Sequence, residues 1–132
     1  MGTPGQSKAV PARRPVTKDV GDAAEDKALA YLQAAGLRLV ARNYRTPGRG
    51  GGEIDLVMRD GATLVFVEVR RRSRSDFGGA AASVGAVKQR RIVFAARNFL
   101  LRWRAAPPPC RFDVVAVEDA GIRWLRAAFD AG

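Results

Sequence analysis

The chain reads as an α/β fold in which a mixed β-sheet is flanked by helices. Three observations predict it: apolar residues recur at helical spacing before and after the middle of the chain, a hairpin of alternating strands lies between, and a proline run separates the second helix from another strand-like stretch. A hairpin pairs its strands antiparallel, whereas a helical crossover returns the chain parallel, so the sheet must be mixed. At 132 residues, there is enough chain for one hydrophobic core.

Residues 1–18 carry Gly, Pro, Ser, Lys and Arg without periodicity and read as a disordered basic tail, leaving 19–132 as a single domain. A first helix is expected from Asp19 or Asp22, either of which can cap it, to Gly36 as its stop. Its apolar face is Ala24, Ala28, Leu29, Leu32 and Ala35. Glu25 falls at the edge of that stripe, either as a site carboxylate or as an acid favoured by the helix dipole.

Residues 37–45 read as a strand, and 46–52, with four glycines and a proline, as a loop. The hairpin strands are expected over 53–59 and 62–72, around the turn Asp60-Gly61. A polar loop covers 73–79, and a long helix should span 80–103 with Val84, Val87, Ile92, Ala95, Phe99 and Trp103 inward and Lys88 flanking them. Pro107-Pro108-Pro109 then breaks the chain before a strand at 111–118 and a last strand or short helix at 122–129.

The hairpin holds the chemistry. Gly52-Glu53-Ile54-Asp55-Leu56-Val57 and Phe66-Val67-Glu68-Val69-Arg70 are apolar strands interrupted by carboxylates, and a sheet core is a costly place for a charge unless it is paired or binds a metal. A two-residue loop at Asp60-Gly61 sets Glu53 opposite Glu68 and Asp55 opposite Phe66. Glu53, Asp55, Glu68 and Arg70 then share a face, with Asp55 and Glu68 as diagonal neighbours roughly 7–8 Å apart and within reach of one ion. The chain has no histidine and one cysteine, Cys110, so oxygen ligands point to a hard cation, Mg²⁺ or Mn²⁺, rather than zinc. The alternative is a solvated acidic face balanced by nearby arginines.

Charge supplies the second clue. The chain carries a net +10, and between Arg70 and Arg104 ten basic residues face the single acid Asp76, a net of +9. A basic block beside carboxylates suits a polyanion, hence a nucleic-acid partner. No run of eighteen apolar residues exists, so no membrane span is expected. The N-terminus lacks a signal-peptide core and the cysteine stands alone, which together indicate a cytoplasmic protein.

The hairpin, Leu64-Val65-Phe66-Val67-Glu68-Val69-Arg70, Phe77-Gly78-Gly79 with Lys88, and Arg111-Phe112-Asp113-Val114-Val115 together resemble the YraN-like bacterial proteins from about Val20 to Phe129, and Asn43-Tyr44-Arg45 adds to the match. That family is similar to the PD-(D/E)xK nuclease superfamily, which includes restriction endonucleases and archaeal Holliday-junction resolvases. The resemblance implies a restriction endonuclease-like αβββαβ core and Mg²⁺-dependent phosphodiester hydrolysis in DNA, branched or damaged DNA among its substrates. Asp55 and Glu68, with the carbonyl of Val69, match the metal ligands. Arg70 occupies the lysine position, Glu25 the helix acid, and Glu53 supports the first ligands or a second metal. Lys88 stands ready to reach in from the helix, and Arg71, Arg72, Arg74, Lys88, Arg90 and Arg91 are the expected nucleic-acid contacts. Arginine stays charged and cannot serve as a general base, so Arg70 departs from the pattern. A non-catalytic nucleic-acid-binding module on the same fold is the alternative. Cutting both strands of a duplex would favour a homodimer with two sites.

Overall fold

The computed structural model describes residues 16–48, 50–72 and 84–131. The elements follow one another as α1 (Val16–Ala34), β1 (Arg38–Arg45), β2 (Glu53–Asp60), β3 (Thr63–Arg72), α2 (Ala86–Leu100), β4 (Cys110–Glu118) and β5 (Gly121–Phe129). The expected αβββαβ order is present, with β5 as a strand rather than a short helix. The first fifteen residues of the expected tail and the 73–79 loop lie outside the described residues.

Helix α1 starts at Val16, earlier than either candidate cap. A cap is worth about 1 kcal/mol, too little to stop a helix that continues to Asp22, whose charge the helix dipole favours near the N-terminus. Ala24, Ala28 and Leu32 are buried on a single stripe, while Ala35, past the helix end, is exposed. The predicted stop holds. Gly36 sits at φ +102°, Leu37 N–H donates to the Leu32 carbonyl at 3.0 Å and Gly36 N–H to the Gln33 carbonyl at 3.0 Å, the paired bonds of a Schellman motif.

The sheet order is β1-β2-β3-β4-β5, antiparallel throughout except for β3 and β4, which run parallel because α2 intervenes. It separates two cores. Helix α1 packs with Leu56, Met58, Val65, Val67, Val115 and Val117 on one face. On the other, Ile92, Ala95, Ala96 and Phe99 of α2 pack with Val57, Leu64, Phe66, Phe112 and Val114. Among the described residues, no helix is long and apolar enough to cross a membrane.

Helix α2 is shorter than the expected 80–103, beginning after Gly85 and ending at Leu100, although Trp103 still packs on Phe99 with ring centroids 5.7 Å apart. Val87 departs from the expected core: it is 56 % exposed. Five residues place it about 140° around the helix from Ile92, off the buried stripe.

The hairpin register also differs from expectation. Asp60 pairs with Thr63 and Val57 with Phe66, so Asp55 does not face Phe66 and the turn is Gly61-Ala62. Gly61 takes the first central position at φ +61°, while Ala62 is not among the positive-φ residues, the pattern of a type II′ turn rather than the Asp-Gly type I′. The register moves by two residues, so the strand parity survives but the opposed pairs change.

Candidate functional site

The end of the hairpin distant from its turn is where the carboxylates gather. The β2–β3 ladder reaches Leu56↔Val67. It stops short of Asp55, so the expected pairing of Glu53 with Glu68 is not part of the ladder. Strict alternation also fails here. Ile54 enters the α2-side core while Leu56, two residues on, enters the α1-side core, so the strand changes face around Asp55. The Asp55 carboxylate accepts the Val69 amide at 2.7 Å, fixing it at the junction of the two strands.

Glu68 is 7 % exposed and pairs with Lys88 Nζ at 3.2 Å, so the helix lysine reaches the sheet carboxylate. Asp55 has a weaker counterion. Burial pushes its carboxyl up to about 7 and the Glu68 charge pushes in the same direction, with the Val69 amide and the Lys88 charge opposing. The Glu53 charge adds to the same upward push.

Glu25 approaches from α1. Its pKa is raised by burial and then by the charge of Asp55, with Arg42 holding it back. Arg42 binds Glu25 Oε1 at 3.3 Å and Asp26 Oδ1 at 2.6 Å. With its amide turned to donate, Asn43 Nδ2 lies 3.2 Å from both Glu25 oxygens. Asn43 stands at φ +54° inside β1, a conformation asparagine tolerates better than most residues. Arg42 and Asn43 thus hold Glu25, and the sequence reading missed both. The available signal was Asn43-Tyr44-Arg45, a polar break in a strand.

Glu53 is exposed and 3.7 Å from Arg45. With Arg45, Thr46, Gly52, Lys88 and Arg91 it lines a cleft of about 430 Å³ between the 46–52 loop and α2. Thr46 is buried, and its Oγ1 accepts the Gly52 amide at 2.8 Å, closing the loop on itself. Gly52 lies against the helix backbone: a Cβ there would stand 2.0 Å from the Arg91 carbonyl oxygen. The carboxylates therefore adjoin a cleft with three cations on its walls.

Arg70 is half-buried two residues beyond Glu68, beside Ala116 of β4. Of the expected nucleic-acid contacts, Arg71, Lys88, Arg90 and Arg91 are exposed, Arg72 is 8 % exposed, and Arg74 lies outside the described residues. Lys88 and Arg91 face the cleft, whereas Arg90 lines a separate groove on the other flank of α2.

Among the described residues, no three His, Cys, Asp or Glu side chains converge as a metal-binding group. The expected ligand set is smaller, two carboxylates and the Val69 carbonyl. Its all-oxygen chemistry, with the Glu68 charge beside Asp55, fits a hard divalent cation.

One polar cluster, whose Arg111 and Asp113 figured above only in the resemblance, has a role that the sequence did not indicate. Asp113 is fully buried and accepts bonds from Arg111 Nε at 3.0 Å, Trp124 Nε1 at 2.9 Å and the Ala127 amide at 2.9 Å. The β4–β5 register shifts at this point and Ala127 stands at φ +50°. Asp113 pins a bulge, so its role is structural.

The chain resembles known proteins over most of its length. A UPF0102 protein of Paracidovorax citrulli is 68 % identical over 92 % of this chain and 90 % of that protein. One of Albidiferax ferrireducens is 66 % identical over 87 % and 90 %. A third, of Verminephrobacter eiseniae, is 69 % identical over 84 % and 78 %. The model of the uncharacterised protein family UPF0102 matches residues 24–117, which run from the middle of α1 through most of β4 and contain every carboxylate of the site. The chain belongs to this family, the YraN family.

Proposed function

We propose that this protein is a metal-dependent endonuclease that hydrolyses phosphodiester bonds in DNA, with Mg²⁺ or Mn²⁺ as its cofactor. The observation that carries the reading is the Asp55–Glu68 pair: two carboxylates at one strand junction, Asp55 pushed up to about 7, beside a cleft lined by Arg45, Lys88 and Arg91.

Asp55, Glu68 and the Val69 carbonyl would hold the cation. A metal bound there supplies an activated water and neutralises charge developing on the phosphate. The chain's own residues do the rest. The Val69 amide orients Asp55, and Arg42 with Asn43 orients Glu25 towards it. Lys88, anchored on Glu68, and Arg91 offer positive charge to a phosphate in the cleft. Arg70, a guanidinium in the lysine position, acts as an electrostatic stabiliser rather than a base. The exposed Arg71, Arg90 and Arg91 widen the surface available to a polyanion.

The test is cleavage of labelled single-stranded, duplex, flap and four-way-junction DNA, and of RNA, with Mg²⁺, Mn²⁺ or EDTA, beside Asp55→Ala. Metal-dependent cutting that Asp55→Ala loses is expected. Tight binding without cutting under either metal would replace the nuclease with a nucleic-acid-binding module.

A further inference from the structure

Helix α2 carries four cations, Lys88, Arg90, Arg91 and Arg97, and no acid. Its core stripe is satisfied by Ile92, Ala95, Ala96 and Phe99. The opposite crest is apolar and open: Val87 is 56 % exposed, Phe94 53 % and Leu101 78 %. Their spacing of seven keeps them nearly in line on one side of the helix. The crest is flanked on both sides by positive charge. Lys88 and Arg91 face the carboxylate cleft. On the other flank, Arg90 and Arg97 line a groove of about 470 Å³ together with Val93, Phe94 and Asp130.

An exposed aromatic ring between rows of arginines is matched to a ligand that is flat and apolar in its middle and anionic along its edge. A second copy of this chain does not meet that description, since crest-to-crest packing would bring four cations against four. A duplex keeps its base faces stacked inside. An unpaired nucleic-acid strand offers both parts, phosphates to the arginines and a base face to the ring.

We propose that the α2 crest is a track for an unpaired nucleic-acid strand, with Phe94 as a stacking platform and Arg90 and Arg97 as its phosphate contacts. The proposal rests on the nucleic-acid reading of the adjoining cleft and narrows its substrate class to single-stranded or branched molecules. It does not depend on cleavage.

The test is fluorescence-anisotropy binding in EDTA, where no metal is available. Probes are a labelled 15-nucleotide single strand as DNA and as RNA, and the matching DNA duplex. Phe94→Ala should weaken single-strand binding about tenfold, the scale of one base–aromatic stack, and change duplex binding less than about twofold. Phe94→Tyr should restore it, and Arg90→Gln with Arg97→Gln should flatten its salt dependence. Equal losses on strand and duplex, no loss, or failure of tyrosine to rescue would overturn the proposal. So would light scattering that finds a dimer dissociated by Phe94→Ala. Phe94-dependent binding by a protein that cuts nothing would sink the nuclease and keep the track. Metal-dependent cutting indifferent to Phe94 would do the reverse.

Discussion

At Asp55, burial and the neighbouring Glu68 charge both oppose ionisation, and that has a calculable consequence for stability. Its carboxyl rises from 3.8 to about 7 on folding. Between those values the folded chain holds a proton that the unfolded chain has released, so stability falls as pH climbs through the window, and the penalty is complete above about 7. Asp55→Asn retains an acceptor for the Val69 amide and cannot ionise. Urea titrations should find it near parental stability at pH 4 and more stable at pH 8, by on the order of 1–3 kcal/mol. Curves that stay parallel across that range would mean Asp55 is not electrostatically frustrated. Millimolar Mg²⁺ at pH 8 should raise the Tm of the parent and leave that of Asp55→Asn nearly unchanged. Asn43 permits a paired test. Asn43→Ala retains the positive φ of +54° in a residue poorly suited to it and should cost about 1–2 kcal/mol in thermal or urea unfolding. Asn43→Gly should cost less in stability, yet lose the grip on Glu25 equally; if both variants unfold alike, backbone strain is not what asparagine relieves.

Between elements, the decisive contact is Gly52 against the backbone of α2. An alanine Cβ at 2.0 Å from the Arg91 carbonyl oxygen meets main chain, not a side chain that can swing away. Gly52→Ala should therefore displace the start of β2 from the helix, costing roughly 2–3 kcal/mol in urea unfolding and loosening the cleft that Lys88 and Arg91 line. Gly51→Ala makes an instructive contrast, because its Cβ would meet first the Thr46 hydroxyl at 1.9 Å, a group able to rotate at the expense of its bond to Gly52. Gly51→Ala should be the milder change; the reverse order would show that the threonine clasp, not helix contact, sets the loop. These elements also mark how far the sequence alone could be read. Helical periodicity located α1 and α2, and alternation located the hairpin, because burial imposes those periods over many residues. The register was misread by two because Asp60-Gly61 and Gly61-Ala62 both make tight turns and only the fold chooses between them. The turn of the strand around Asp55 was illegible, since nothing local separates Ile54 from Leu56, which enter opposite cores. Asp113 was invisible as a fastening for a similar reason: its partner Trp124 lies on the next strand, brought near by a bulge that sequence does not announce.

Across the whole molecule the charges are arranged so that attraction is local. Of the chain's +10, +9 falls between Arg70 and Arg104, and within that stretch Lys88 and Arg91 on one flank of α2 and Arg90 and Arg97 on the other bracket the same helix. Arg38 begins β1 opposite Arg59, toward the hairpin turn and away from the paired end where Arg45 meets Glu53. A sequence composition cannot distinguish these cations, since each adds the same unit to the total; only the fold separates those on α2, the proposed binding face, from those at the remote end. Counterion release turns that assignment into a measurement. Each phosphate contact removed should lower the slope of log K against log salt by about 0.7–0.9. Replacing Arg90 and Arg91 together by glutamine should therefore flatten the slope by about 1.5, and Arg38→Gln should leave it unchanged. A slope reduced equally per charge by Arg38→Gln would show diffuse attraction by net charge alone. A reduction confined to the α2 arginines would make that helix the place where the polyanion is held, with the carboxylates of β2 and β3 within reach of its backbone.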